Sequence, residues 1–229
     1  MDFSWISSFS GELIRGVGIC FALWRLPSVF VFVLAITVAP GRLSPNRFIS
    51  GWMRAYSSVF RGTPLLVQIY ILYYGVGSVF ASYPLIRGSW LWPYLREGFW
   101  YVTLALILSV GAYVGEVLRS GLRAVPRGEL EAARAYGMSP LMLLRRVWLP
   151  RALQILKPTL AGETIMLLKS TALASTVAVT DLLGAANLVR AQSLRVYEPL
   201  LAVALIYIIL AFLIEYGFSR IGKTPQRTA

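Results

Sequence analysis

Several runs of this sequence are apolar for close to the length needed to cross a lipid bilayer, and no other feature narrows the fold so far. A helix needs about 20 predominantly apolar residues to span the hydrocarbon core. Inside lipid its backbone hydrogen bonds must be made within the chain, which favours helices for runs of this length. The runs lie within residues 13–39, 63–80, 99–118, 159–179 and 200–218. The hydrophobic share of 57% stands above the roughly 45–50% of soluble domains. The expected fold is all-α and integral to a membrane, with about five transmembrane helices, residues 1–229 forming one domain.

The connections between runs alternate in charge. The segment through Arg15, with Asp2 and Glu12, sums to −1; the connection with Arg42, Arg47, Arg54 and Arg61 to +4; that with Arg87, Arg96 and Glu97 to +1. Residues 119–157 hold eight bases and two acids, +6; the connection with Asp181, Arg190, Arg195 and Glu198 sums to zero; the tail after Phe218 has three bases. The basic excess falls on every second connection, which places the N-terminus outside and the C-terminus in the cytoplasm. The net charge of +12 follows from this topology and requires no nucleic-acid partner. Residues 1–12 lack a positive start, so no cleaved signal is expected. Arg25, inside the first run, should face the bundle or snorkel, while Trp90, Trp92 and Tyr94 suit the headgroup belt.

What is missing excludes whole classes of chemistry. One cysteine, Cys20, and no histidine leave no internal disulfide, no Cys/His metal site and no Ser/His/Asp or Cys/His catalytic set. No G-x-x-x-x-G-K-[ST] phosphate loop occurs, so the chain should not hold ATP itself. Gly16-Val17-Gly18 lies within a span and is no nucleotide loop. The expectation is a chain that is not an enzyme, with no catalytic residues, no metal and no cofactor of its own.

The most charged stretch, Pro126 to Pro158, lies between spans, in a loop of about residues 119–157. It reads as a hairpin of two short helices. Gly128 precedes the first, Glu129 and Glu131 place negative charge in its opening turn, and Gly137 stops it. Ser139 offers an N-cap and Pro140 a first-turn proline for the second. Leu141, Leu144 and Trp148 recur at helical spacing, and Arg145 and Arg146 mark a wet side.

The pattern Glu131-Ala132-Ala133, Gly137 and Val147-x-Leu149-Pro150 resembles the EAA signature of ABC-importer permeases, with Val147 where isoleucine is common. The resemblance implies that this loop is a cytoplasmic coupling helix seated in a cleft of an ATPase subunit, with Glu131, Ala132, Ala133, Gly137, Leu149 and Pro150 at the contact. The string Phe60 to Gln68 closely resembles the Arg-Gly-Thr-Pro-x-x-x-Gln segment of permeases for polar amino acids, especially the basic amino-acid and opine branch. With Lys169-Ser170-Thr171-Ala172-Leu173, the likeness extends over about residues 10–220. It implies a transmembrane subunit of a type I, binding-protein-dependent importer in a bacterial inner membrane, carrying a polar, basic amino acid or an opine. With this resemblance, the outside on which the N-terminus lies is the periplasm. Implied partners are a second permease subunit (identical or paralogous), two ATP-binding cassette subunits that hold ATP and Mg, a periplasmic solute-binding protein and membrane lipid.

The resemblance puts Arg61, Thr63, Pro64 and Gln68 on a substrate pathway. Elementary chemistry adds Glu163, Lys169 and Asp181, since ionisable groups in apolar spans are costly unless they serve a purpose, with Ser170 and Thr171 beside them. Two readings of Glu163 stand open: a carboxylate facing substrate, or a structural partner of Lys169. Asp181 is expected at the outer rim, Glu116 beside Arg119 one turn away, and Thr171, Ser175 and Thr176 as hydroxyls of a pore-lining helix. Physics alone also allows Arg61 to Gln68 to be a helix start whose polar residue is satisfied by a neighbour. The rival class is a secondary transporter or channel without an ATPase partner, which would favour an inverted repeat that is not evident. A membrane-anchored scaffold would leave Glu131 to Pro150 unexplained.

Overall fold

The computed structural model describes residues 4–220, with side chains from residue 9 onward. Asp2 and the basic residues Lys223 and Arg227, used above for orientation, lie outside the described residues. The described chain is helical: α1 is Ser4–Arg42, α2 Arg47–Gly62, α3 Leu65–Ser82 and α4 Gly98–Ala124. Then follow α5, Arg127–Ala135; α6, Pro140–Val177; α7, Leu182–Ser193; and α8, Tyr197–Arg220. Single turns at Pro84–Arg87 and Trp92–Leu95 bridge α3 to α4. Among the described residues, four helices (α1, α3, α4 and α8) are long and apolar enough to cross a membrane, and α6 with α7, bent by 47° at their break, form a fifth candidate as a broken span or a re-entrant loop.

The bundle is organised on α4, whose small residues admit neighbours closely. A Cβ on Gly111 would stand 2.6 Å from Leu34 Cδ2, and one on Gly115 2.9 Å from Val38 Cγ1. These glycines, one turn apart, form a groove in which α1 lies, the packing that small residues permit where lipid supplies no hydrophobic drive. Leu106, Leu118 and Leu122 of α4 join Leu23, Ala35, Leu156 and Leu167 in the main core. A second core joins the first half of α1 to α7 and α8 through Leu13, Cys20, Leu182, Ala185, Val189 and Val203. The exposed apolar side chains of α8, such as Leu205, Phe212 and Leu213, are what a lipid-facing or subunit-facing helix carries.

Four features depart from the sequence reading. The basic connection after α1 folds as helix α2. The stretch after Asp181 is a packed helix, because Leu182, Ala185, Ala186 and Val189 are buried along one face. The second arm of the hairpin is no separate short helix: it runs unbroken into α6. Pro150 lacks an N–H for the Arg146 carbonyl, and the backbone there opens into a π-turn over Leu144–Trp148, with the Leu149 N–H reaching back to the Leu144 carbonyl; a π-turn lets a helix pass such a residue. Gly128 sits inside α5, whose N-cap is Pro126. Of the two positions expected for Arg25, the outward, snorkelling one is seen: its side chain is exposed.

Candidate functional site

The hairpin is built as a rigid hook. Gly137 has φ +74°, the left-handed conformation glycine adopts without penalty. Its N–H bonds the Arg134 carbonyl at 2.9 Å, and the Met138 N–H bonds the Ala133 carbonyl at 3.3 Å. That pair is a Schellman stop. Ser139 Oγ then accepts from the Met142 N–H at 3.4 Å, with Pro140 in the first turn. Two arms are tied by Glu129, whose carboxylate takes Arg151 Nε and Nη2, each at 2.7 Å. Trp148 Nε1 donates to the Leu122 carbonyl at 2.6 Å, fixing the base of the hook to α4.

With Glu129 engaged inside the hairpin, Glu131 is left on the surface with Ala132, Ala135 and Gly137, while Ala133 is buried. Tyr136, 87% exposed, and Leu141, 65% exposed, stand beside them. A groove of about 460 Å³ runs along Ser139, Leu141, Met142, Arg145 and Arg146. Leu149 and Pro150 lie behind this tip, half-buried, where the π-turn hands the chain to the span. The arrangement is a small-residue surface with an acid and exposed apolar groups, suited to seating in a protein cleft.

A second cluster gathers at the end of the bundle where α1 finishes. Glu116 on α4 meets Arg119 Nε at 2.9 Å, Arg42 Nε at 3.1 Å and Arg61 Nη1 at 3.9 Å. The Arg119 pair is the one read from sequence; Arg42 and Arg61 arrive from α1 and α2. Arg42 contacts Oε1 by charge, without hydrogen-bond alignment, so that buried oxygen has no hydrogen-bond partner. The Arg61 guanidinium also lies over the Tyr113 ring, 5.3 Å from its centroid, and the Arg61 carbonyl accepts from Tyr113 Oη at 3.2 Å.

Just beyond Arg61 the chain turns at Thr63 and Pro64, both exposed, and the buried Gln68 holds that turn. Its Nε2 donates to the Phe60 carbonyl at 2.9 Å, the Thr63 carbonyl at 3.1 Å and Thr63 Oγ1 at 2.8 Å, while Oε1 is buried without a partner. Gln68 thus ties α2 to α3 across the bend.

Glu163 lies on α6 in a cavity of about 170 Å³ between α1, α4, α6 and Phe218 of α8. The walls are mostly apolar: Val31, Phe32, Val110, Val114 and Leu167. The two hydroxyls there are already engaged, Ser28 with the Trp24 carbonyl at 2.6 Å and Thr164 with the Leu160 carbonyl at 2.7 Å. Among the described residues Glu163 has no hydrogen bond or ion pair, and the Arg61 charge acts on it through space. The pairing of Glu163 with Lys169 is not formed: six residues apart they sit on different helix faces, and Lys169 is exposed.

The remaining candidates lie elsewhere. Asp181 is fully buried and caps α7, accepting from the Gly184 N–H at 3.0 Å and the Leu183 N–H at 3.4 Å. It therefore fills with its own carboxylate the helix start that a broken span would otherwise offer to an anion. Thr171 is also fully buried, with Oγ1 3.1 Å from Cys20 Sγ. The hydroxyls of Ser170, Thr171, Ser175 and Thr176 all turn back onto carbonyls of their own helix. The candidates thus fall into three places, the Arg61–Gln68 bend, the Glu163 cavity and the α6–α7 break.

Comparisons with known proteins agree with this geometry. Residues 31–222 match the family described as "Binding-protein-dependent transport system inner membrane component". The octopine transport system permease protein OccM of Rhizobium radiobacter is 38% identical over 207 residues, 90% of this chain and 83% of that protein. The histidine/lysine/arginine/ornithine transport system permease protein HisM of Escherichia coli K12 is 36% identical over 212 residues, 91% and 87% of the two chains. Among solved structures, an amino acid ABC transporter with histidines superposes with a TM-score of 0.80 at 29% identity, over 96% of both chains. An inward-facing MetNI methionine ABC transporter, 22% identical, shares the fold with a TM-score of 0.73 over 92% of this chain and 94% of its own.

Proposed function

Because this chain belongs to the family of binding-protein-dependent transport system inner membrane components, we propose that it is the permease subunit through which a basic amino acid or an opine crosses the membrane. Relatives named for octopine and for histidine, lysine, arginine and ornithine support that substrate class. The observation that carries it is Glu163, a carboxylate without a partner in a largely apolar cavity. An ammonium or guanidinium group leaving water needs such a charge to offset its desolvation. Arg61, engaged with Glu116 and the Tyr113 ring at the neighbouring end of the bundle, would serve an incoming substrate carboxylate. Gln68, Thr63 and Pro64 shape the bend that presents Arg61, and Thr171 and Asp181 hold the break that ends α6. Lys169 and Ser170 follow Glu163 along α6, ahead of the break.

The hairpin supplies the coupling. Its tip, with Glu131, Ala132, Ala133 and Gly137 backed by Leu149 and Pro150, seats in the cleft of an ATPase subunit, which holds ATP and Mg; this chain binds no cofactor. Two such ATPase subunits, a second permease (a copy or a paralogue) and a periplasmic solute-binding protein complete the assembly. Residues 1–229 act as one domain, with the N-terminus periplasmic and the hairpin and C-terminus cytoplasmic, because the basic excess lies on that side. Closure of the ATPase pair then moves the hook as a rigid body.

The test is transport in vesicles. Glu163→Gln should lower uptake of a basic amino acid more than tenfold, the effect of about 1.4 kcal/mol, while substrate binding to the separate solute-binding protein is unchanged. Replacing Lys169 with glutamine in the same chain should not restore uptake. Normal uptake by Glu163→Gln, or recovery in the double variant, would remove Glu163 from the pathway.

A further inference from the structure

Helix α2 has three faces, and only one of them belongs to the bundle. Met53, Tyr56 and Ser57 turn inward: Ser57 is buried, Met53 lies against Gly41, and Tyr56 Oη donates to the Leu108 carbonyl at 2.6 Å. A second stripe, Phe48, Trp52 and Val59, follows helical spacing and points away, 73%, 64% and 58% exposed. The third stripe repeats every seven residues as Arg47, Arg54 and Arg61. The helix meets α4 at Leu108, Tyr113 and Glu116, beside the end of the bundle where α1 finishes and the hairpin begins. Here Arg42, Arg61 and Arg119 share one acid, Glu116, and Arg47 and Arg54 are exposed without an ion pair among the described residues.

An aromatic stripe beside a basic one is the composition of a helix lying in the membrane interface, where rings enter the acyl boundary and guanidinium groups meet phosphate. We propose that α2 is such an anchor and seats anionic phospholipid, with Phe48, Trp52 and Val59 in the acyl region and Arg47 and Arg54 on the headgroup phosphate. A two-fold contact between identical copies through this face would set the basic stripe against itself, whereas an anionic phospholipid meets the aromatic and the basic stripe at once, so the occupant is lipid. Nothing in this assignment depends on which substrate is carried or on how the hairpin is coupled.

The experiment uses the assembled transporter, stripped in detergent and titrated with phosphatidylglycerol or phosphatidylcholine, with bound lipid counted by native mass spectrometry. Wild type should bind phosphatidylglycerol in preference to phosphatidylcholine. Arg47→Gln with Arg54→Gln should weaken phosphatidylglycerol about thirtyfold, about fivefold for each arginine, and leave phosphatidylcholine unchanged. Arg47→Lys with Arg54→Lys should keep the preference, which separates lost charge from a damaged fold. A photoreactive benzoylphenylalanine replacing Trp52 should crosslink to phospholipid. Equal affinity of wild type for both lipids, undiminished phosphatidylglycerol binding by the glutamine pair, or crosslinking of position 52 to a second permease chain would each overturn the assignment.

Discussion

Gly137 offers the sharpest separation between a structural and a docking role for the hairpin. Its φ of +74° means any other residue meets a backbone penalty, about 1–2 kcal/mol for an ordinary L-residue and less for asparagine or aspartate. A Cβ there would find nothing within 4 Å, so within this chain the backbone penalty is the whole effect. If the glycine serves only the Schellman turn, Gly137→Ala should weaken coupling about five- to thirtyfold, the range equivalent to that penalty, and Gly137→Asn should be milder. If another protein's surface approaches the open space above Gly137, the order reverses. Asparagine and aspartate, which the backbone tolerates best, then project furthest into the cleft and should abolish substrate-stimulated ATP turnover, with alanine intermediate. The assay is ATP hydrolysis by the reconstituted transporter with loaded solute-binding protein, beside co-purification of the ATPase subunit and the thermal stability of the permease alone. Near-normal coupling in Gly137→Asn together with impaired coupling in Gly137→Ala would refute docking at this position.

Three further outcomes follow from the packing and the charges. Glu116→Gln leaves three arginines around a mostly buried site without their counter-charge, and should destabilise the permease by about 3 kcal/mol in detergent unfolding; no loss would mean the cluster is solvated. Gly111→Leu forces a side chain into Leu34, which stands 2.6 Å from where its Cβ would lie, and should cost at least about 1–3 kcal/mol; unchanged stability would mean α1 is not seated in that groove. Tags at residues 130 and 229 should be cytoplasmic and one at residue 88 periplasmic, and finding 88 and 130 on one side would overturn the five-span topology.

Much of the architecture was legible because its signals are local. Apolar runs of span length, glycine at a positive-φ stop, and serine before proline each act within a few residues, and the helices and the hairpin turn follow them. What escaped depends on contacts across the chain. Asp181, Arg190 and Arg195 made residues 181–198 look like a surface connection, although Leu182, Ala185, Ala186 and Val189 recur at helical spacing and pack on α1. The sequence shows Asp181 only as an ionisable group after a span; that it is the buried cap of that helix depends on the packing around it. Glu116 showed one neighbour by spacing, Arg119, while Arg42 and Arg61 reach it from 74 and 55 residues away. Glu163 and Lys169 looked like partners by charge alone, and the helical repeat separates them. At the family signatures the local pattern was informative for the opposite reason, since the EAA hairpin and the Arg-Gly-Thr-Pro bend carry their geometry in a few contiguous residues.

The continuity of α6 links the two ends of the proposed mechanism. One helix runs from Pro140 at the hairpin to Val177 and carries Glu163, roughly 35 Å from the hairpin turn at 1.5 Å per residue. Arg61 and Glu116 are held on α4 through Tyr113 and Arg119. A push on the hairpin that shifts the Glu163 segment of α6 against α4, beyond the Trp148–Leu122 bond that pins its base, would move Glu163 relative to Arg61 and change what the cavity offers a cation. The clamp from Glu129 to Arg151 makes α5 and the start of α6 move together, and the π-turn over Leu144–Trp148 is the place where α6 has already given up regular hydrogen bonding. Bending should concentrate there. A variant that removes the proline behind that turn, Pro150→Ala, would restore a regular helix and stiffen the link, so its effect should fall on coupling of ATP turnover to uptake and not on the affinity for substrate.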